Sequence, residues 1–188
     1  MAKNNKTESE LVKRCKEGEQ KSFKELFDMY KDKVFSTAVR MLGNSQDAED
    51  TTQDIFIKIF KNINNYRGDS SLSTWIYKVT INTCLDNLKK RKKHEKDKSF
   101  DEIDDISSLP YGEIQPGTIH IIIEKEIQKL PEGYRTVFIL HEIDGFKHEE
   151  IAKIMNITQG TSKSQLFKAK SILRKKLLPY MEVLEDEM

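Results

Sequence analysis

The only tryptophan of the chain, Trp75, stands three residues ahead of Lys78 and seven ahead of Asn82, in the stretch STWIYKVTINTCLDNLKKRKK that ends in five consecutive basic residues. At about 100° per residue, a helix gathers Trp75, Lys78, Asn82 and Lys89 on one side. An indole flanked by an amide and ammonium groups can stack on an unpaired nucleobase while cations hold the backbone, and such stacking is typically worth about 1–3 kcal/mol per base. The alternative is that Trp75 is a core anchor, the commoner fate of a large aromatic. Asp86, at the edge of this face, is its one electrostatic misfit. The preceding loop, RGDSSLS, offers a glycine and small polar side chains that could wall a pocket for a base turned out of a duplex.

A second constellation is KHEEIAKIMNITQGTSKSQLFKAKSILRKKL, which has the outline of a helix-turn-helix. Ile151, Ala152 and Met155 form the inner face of its first helix, and Asn156 suits a left-handed turn position. On the second helix Leu166, Ala169, Leu173 and Leu177 share one side, while Lys163, Ser164, Phe167, Lys168 and Ser171 fall opposite. A helix in a major groove needs cationic and polar groups for phosphates and base edges, plus an apolar group for a thymine methyl. A solvated basic helix with one exposed phenylalanine is the simpler alternative.

A third set is acidic. Between Gln46 and Ile63, the positions Ala48, Ile55, Phe56, Ile59 and Ile63 mark a buried stripe, and Asp47, Asp50 and Asp54, with Gln53, occupy another side. Three carboxylates would repel phosphate, so this side suits a protein partner. The alternative is an ordinary solvated face with favourable charge near a helix N-terminus.

The elements that must position these residues are helical, because the apolar period is close to 3.6 and no convincing run of alternation is present. The fold class expected is all-α: two small helical domains joined by a flexible acidic linker, the C-terminal one a helix-turn-helix. A first helix is expected to open on the capping pattern of Thr7 and Glu10 and to close at Gly18. A second covers residues 20–41 and stops at Gly43; a third, capped by Asn44 or Ser45, runs to about 63; the fourth covers 73–93. On that fourth helix Tyr77, Ile81, Cys84, Leu85 and Leu88 form the apolar stripe, with Ile76 and Val79 as a second flank. Residues 99–118 carry five acids and no base, with two prolines and two glycines, and read as linker. Helical patterning resumes near Ile119. Pro131 suits the first turn of a helix reaching about 143, ended by Gly145, and the last two helices cover 147–155 and 159–178. The expected units are therefore 1–95, a linker over 96–122, and 123–188.

With a formal net charge of +1 but 34% charged residues, any electrostatic function must come from how charge is distributed. Residues 89–98 hold seven Lys/Arg against two acids, and residues 151–180 hold seven and no acid. The start, MAKNNKTESE, has no apolar run for a signal sequence, and no later window approaches the roughly 20 apolar residues of a membrane helix. A cytoplasmic protein with no direct membrane insertion is expected. Cys15 and Cys84 lack ligand spacing and the histidines are scattered, so neither disulfide, metal nor other cofactor is expected, and both thiols serve packing or lie at the surface. An enzyme with a small-molecule substrate is disfavoured, because no nucleophile–base pattern or glycine-rich phosphate loop is present.

The blocks DAEDTTQDIFIKIF and YRGDSSLSTWIYKVTINTCLDNLKKRKK resemble the second sigma region of bacterial extracytoplasmic-function (ECF) sigma factors. LPEGYRTVFILHEIDGFKHEEIAKIM and GTSKSQLFKA resemble the fourth, so that the resemblance covers about residues 10–178 in the family's order. It implies a dissociable subunit, with no active site of its own, that binds core RNA polymerase, directs it to promoters and helps melt the minus-ten element. By motif position, Asp47, Asp50, Gln53, Asp54 and Ile57 would meet the clamp coiled coil of polymerase's largest subunit. Arg67, Asp69, Ser70, Trp75, Lys78, Asn82, Lys89, Lys90 and Arg91 would hold the melted strand of promoter DNA. Thr161, Lys163, Ser164, Gln165, Phe167 and Lys168 would contact the minus-thirty-five duplex. The resemblance also implies an anti-sigma factor as a further partner. Ser162 departs from the branched aliphatic residue frequent in the family, which points to looser packing. Gln165 and Lys168 stand where Arg is frequent; Lys cannot make a forked contact and Gln prefers adenine edges, so promoter preference would differ.

The family's two DNA elements lie about 25 bp apart, roughly 85 Å at 3.4 Å per base pair. Residues 96–122 reach about 90 Å fully stretched but average nearer 30 Å as a relaxed chain. Polymerase would then serve as the scaffold that holds the linker extended and gives two weak modules a high effective concentration. The linker's acidity fits either a positively charged channel or a soluble spacer. The competing function is a helix-turn-helix repressor or activator that binds duplex operators without polymerase core. The acidic face and the Trp75 face favour polymerase and single-stranded DNA.

Overall fold

The computed structural model describes residues 2–97 and 118–186, and most of the expected linker, residues 98–117, lies outside the described residues. Among the described residues all regular structure is helical: α1 (Ala2–Lys16), α2 (Gln20–Leu42), α3 (Ser45–Asn62), α4 (Leu72–Asp97), α5 (Thr118–Gln128), α6 (Glu132–Phe138), α7 (His148–Met155) and α8 (Gln159–Asp186). A single 3₁₀ turn, Ile63–Asn65, follows α3, and a π-helical turn, Ile139–Ile143, follows α6.

The breaks sit where local chemistry demands them. Gly43 ends α2 at φ 73° with its N–H donating to Val39 O, and the Asn44 side chain then caps α3 by accepting from Asp47 N at 3.1 Å. Asn156, at φ 54°, turns the chain between α7 and α8. Thr158 Oγ1 accepts from Thr161 N at 3.0 Å and caps α8.

Three expectations on boundaries need correction. Helix α1 is already formed at Ala2, so Thr7 and Glu10 lie inside it and do not open it; no glycine or proline precedes Gly18 to halt it. Helix α4 runs to Asp97 and α5 begins at Thr118, so both ends of the span 96–122 are helical, the first because Lys, Arg and Glu are good helix formers. Helix α8 continues past 178 to Asp186 with Pro179 inside it.

One continuous apolar core spans both halves of the chain. From the N-terminal half it takes Leu11, Leu26, Val34, Met41, Ile55, Ile59, Ile76 and Ile81, and from the C-terminal half Ile127, Val137, Ile139, Leu140, Ile151, Ile154, Leu166 and Ala169. Each fully buried Leu or Ile contributes about 1.5–3 kcal/mol. Both cysteines are free and buried, which settles them as packing residues, and burial pushes the Cys84 thiol up to about 12. On α7 Ile151 is buried and Met155 packs half-buried against the core as expected, while Ile154 is buried where Ala152 is only half-buried, which corrects that part of the inner face.

The seam between the halves combines one aromatic contact with several polar ones. Tyr77 of α4 meets Phe146 edge-on, with ring centroids 4.5 Å apart. Thr37 of α2 donates to Asp144 Oδ2 at 3.1 Å, and Arg40 pairs with Glu124 of α5 at 3.2 Å. The Gln128 amide donates to Arg40 O, and Lys92 pairs with Glu132. A Cβ at position 43 would lie 2.9 Å from Gln128 Oε1, so Gly43 serves the close approach of α5 as well as the turn.

Candidate nucleic-acid interface

The loop between the 3₁₀ turn and α4 is fixed by its own hydrogen bonds. Gly68 takes φ 83°, Tyr66 donates its hydroxyl to Ser70 O at 2.7 Å, and Ser71 Oγ accepts from Thr74 N at 3.1 Å. The Trp75 indole is half-buried, packed against the core and against Tyr66 at a centroid distance of 5.5 Å. It is thus partly anchor and partly surface. A cavity of about 550 Å³ opens beside it, lined by Asn65, Tyr66, Arg67, Asp69, Ser70, Thr74, Trp75, Lys78 and Lys153.

Of the residues expected at the single strand, the structure therefore brings Arg67, Asp69, Ser70, Trp75 and Lys78 together. Asn82 is exposed on α4 away from the cavity lining. Lys89 and Lys90 line a separate depression of about 480 Å³ beside Asp54 and Ile57 of α3, with Lys58, Lys61, Asp86 and Asn87. Arg91 donates to Asp47 Oδ2 at 2.9 Å. Two side chains expected to serve different partners are thus paired with each other, because α3 and α4 pack side by side. Both are close to half exposed, so the pair is worth about 0–1 kcal/mol and can be exchanged for other partners.

Sequence reasoning missed Asn65, Tyr66 and Thr74 at the cavity, and Lys153. Tyr66 was findable as the aromatic directly before RGDSS. Lys153 was not, since it comes from α7 of the other half and reaches the site only through packing across the seam.

On α3, Asp50, Gln53 and Asp54 are exposed, and Ile57 stands 47% exposed among them. Hydrogen bonds from Lys58 to Thr83 (3.1 Å) and from Asn87 to Thr51 (2.8 Å) bind α3 to α4 and hold this face in place.

On α8 the polar and apolar sides separate as helical spacing predicts. Leu166, Ala169 and Leu173 are buried; Lys163, Ser164, Phe167 and Lys168 are exposed, Phe167 by 75%. Lys168 Nζ lies 5.9 Å from the Tyr134 ring centroid. Gln165 departs from the expected set. It is half-buried against α6, its Oε1 buried without a partner, and a Cβ at Gly133 would come within 3.3 Å of its amide nitrogen. Three residues from Ser162 and four from Ala169, it falls on the inward side of the helix. Thr161 is half-buried and shares a 2.9 Å hydroxyl contact with Thr158 at the helix start.

Ser162 is fully buried, and its hydroxyl lies 2.9 Å from His148 Nδ1, so the looseness expected of a small residue is offset by a hydrogen bond to the first residue of α7. The His148 ring stacks on His141 at 4.5 Å, and His141 in turn contacts Glu142, which Lys170 also reaches at 3.1 Å. Burial, His141 and Lys163 hold the His148 imidazole below its usual range. Among the described residues no group of three or more potential ligands is placed to hold a metal ion, and no helix is long and apolar enough to cross a membrane.

Residues 26–94 match the family model for sigma-70 region 2, and residues 120–173 match that for sigma-70 region 4. The chain is 34% identical to the ECF RNA polymerase sigma factor SigW of Bacillus subtilis, over 88% of this chain and 94% of that one. It is 33% identical to the RNA polymerase sigma-H factor of Pseudomonas aeruginosa, over 93% and 95%. It is 32% identical to the ECF RNA polymerase sigma-E factor of Escherichia coli, over 92% and 95%. Its fold is similar to that of the sigma factor RpoE of Bartonella quintana, solved with the anti-sigma factor NepR, with a TM-score of 0.69 and 24% identity over 84% of this chain and 97% of that one. CnrH, solved with the cytosolic domain of CnrY, gives a TM-score of 0.66 at 18% identity over 89% and 94%.

Proposed function

The chain belongs to the extracytoplasmic-function RNA polymerase sigma factors, and from that premise we propose how its three surfaces divide the work of promoter recognition. As a member it is a transcription initiation factor that binds core polymerase and directs it to specific promoters. The observation that carries the division is the cavity at Trp75, where an aromatic face, three cations (Arg67, Lys78 and Lys153) and small polar groups converge on one concave site.

A base extruded from the minus-ten element stacks on the exposed part of the Trp75 indole, Arg67 and Lys78 hold the adjoining phosphates, and Asp69 and Ser70 face its polar edge. Binding the melted strand and not the duplex is what helps to open the promoter, since the free energy of stacking is available only after unpairing. The exposed side of α8, with Lys163, Ser164, Phe167 and Lys168, enters the major groove of the minus-thirty-five element. Asp50, Gln53, Asp54 and Ile57 form the polymerase contact, an apolar centre ringed by acids, and Asp47 joins it once released from Arg91. Lys89 and Lys90 lie at the border where DNA and polymerase meet. An anti-sigma factor is the further partner, and the protein works in the cytoplasm. A repressor acting alone would use α7 and α8 but leave the acidic face and the Trp75 cavity without a role.

Run-off transcription with bacterial core polymerase on a genomic promoter library tests the reading. Core-dependent transcripts with a shared start-site motif are expected, whereas tight operator binding without polymerase and no initiation would overturn it. Asp54→Arg should weaken assembly with core in a pull-down while leaving the thermal melt unchanged; unaltered assembly would remove α3 from the polymerase contact.

A further inference from the structure

On the other side of the 66–72 loop lies a second cavity, of about 600 Å³, within the roughly 300–1,000 Å³ range of small-ligand sites. Tyr66, Arg67 and Ser70 line both this cavity and the one at Trp75, so the two adjoin at the loop, the second as a trough along α1. The far wall is α1, which contributes Lys13 and Lys16, with Glu8 as the one acid. Lys16 donates one N–H to Tyr66 O at 2.7 Å, which fixes the ammonium at the rim and leaves two donors open. Lys13 is exposed. Arg14, between them in sequence, points elsewhere and is bound to Glu25 at 2.9 Å.

A strand with one base in the Trp75 pocket has two ways out. One follows α4 past Lys78 and Asn82. The other crosses the loop at Arg67 and meets the two lysines of α1, and there the charge balance of Lys13, Lys16 and Arg67 against Glu8 favours an anion. We propose that the α1 trough binds the nucleotide adjoining the extruded base on the same single strand, with Lys13 and Lys16 at its phosphate and Arg67 between the two nucleotides. This rests on the assignment of the Trp75 cavity to an extruded base. It gives α1 a part in reading the melted promoter, and it makes the downstream or upstream neighbour of the extruded base a second determinant of open-complex stability. Glu8, at the other end of the cavity, repels phosphate and so sets the end at which the backbone lies.

The test uses holoenzyme assembled from the full chain and core polymerase, with fluorescein-labelled single strands from a promoter that the holoenzyme opens. The probes stop at the extruded base or continue by one or two nucleotides at either end. Extension at one end should tighten binding about five- to tenfold, the equivalent of one partly exposed charge-assisted contact. In Lys13→Ala the ratio of extended to unextended affinity should fall to near one, with a shallower salt dependence of the extended probe; Lys16→Arg, which retains the charge and a donor to Tyr66 O, should keep the ratio. An extension gain that is equal in wild type, Lys13→Ala and the double Lys13→Ala/Lys16→Ala variant would overturn the α1 site while leaving the Trp75 pocket standing. If the unextended probe binds without regard to Trp75→Ala, the pocket assignment fails and the trough with it.

Discussion

The Trp75 cavity and the outer side of α8 both combine an aromatic ring with lysines and small polar residues, yet one is concave and the other convex. Trp75 is half-buried, backed by Tyr66 and walled by the 66–72 loop, while Phe167 stands 75% exposed on the crest of a helix. The proposed division of labour accounts for the difference through the state of the nucleic acid. A base outside its stack exposes two faces and must be enclosed to replace what it lost, whereas a base in a duplex presents only an edge and must be reached by something that protrudes. The same residue types thus serve opposite geometries, and surroundings decide which.

The largest expected effect is at the concave site. Trp75→Ala should reduce promoter opening by about ten- to a hundredfold, the stacking contribution of one base, with polymerase binding retained. Permanganate reactivity of unpaired thymines measures the first and co-purification with core the second. Should the variant instead unfold the N-terminal half in a thermal melt, Trp75 is core and the contrast with Phe167 disappears.

Next comes the seam that holds the two surfaces together. Burial raises the Asp144 carboxyl to about 6, with Thr37, Arg40 and Tyr77 opposing, against about 3.9 in an unfolded chain. The native state therefore binds the extra proton between about pH 4 and 6, and this group's contribution to stability declines as pH rises through that window, by about 1–3 kcal/mol in all. Asp144→Asn removes the charge and keeps an acceptor for Thr37. Its stability relative to wild type, from denaturant titrations across pH, should be near zero below pH 4 and become positive above pH 6. A flat difference would mean that water reaches the seam freely.

At the convex site, Phe167→Ala should weaken minus-thirty-five duplex binding by about tenfold, as for a lost thymine-methyl contact of roughly 1 kcal/mol or more, with no change in melting temperature. Band-shift or anisotropy assays on thymine and uracil duplexes sharpen this, since loss of the methyl should reproduce the loss of the ring. The smallest effect is expected at Gln165. Its side chain faces α6, so Gln165→Ala should leave base preference in a duplex selection unchanged, and an altered preference would mean that the helix rotates on binding.

Legibility in the sequence tracked locality. Gly43, Asn44, Gly145 and Asn156 were readable because each answers a steric or capping demand within a few residues, and the α8 face was readable because helical spacing alone separates Phe167 from Leu166. Gln165 was assigned by motif position, whereas its own spacing from Ser162 and Ala169 turns it toward α6. The Arg91–Asp47 pair, the arrival of Lys153 at the Trp75 cavity and the His148–Ser162 hydrogen bond join residues 44, 78 and 14 positions apart or are set by packing between helices, which periodicity does not encode. The onset of α1 was lost because helix propensity carried it beyond the nearest capping signal, whereas α8 continues through Pro179, where propensity argues for a stop.

The seam has a thermodynamic consequence. Lys153 sits at the single-strand cavity in this arrangement, whereas the family's promoter elements stand roughly 85 Å apart. If the two proposed DNA surfaces of this chain bind elements at that separation, Tyr77 must leave Phe146 and Asp144 must leave Thr37. Polymerase and DNA then see only the fraction of molecules already parted, and the measured dissociation constant equals the intrinsic one divided by that fraction. While the parted fraction is small, every 1.4 kcal/mol gained or lost across the seam would change that apparent dissociation constant about tenfold without altering a residue of the proposed promoter or polymerase contacts.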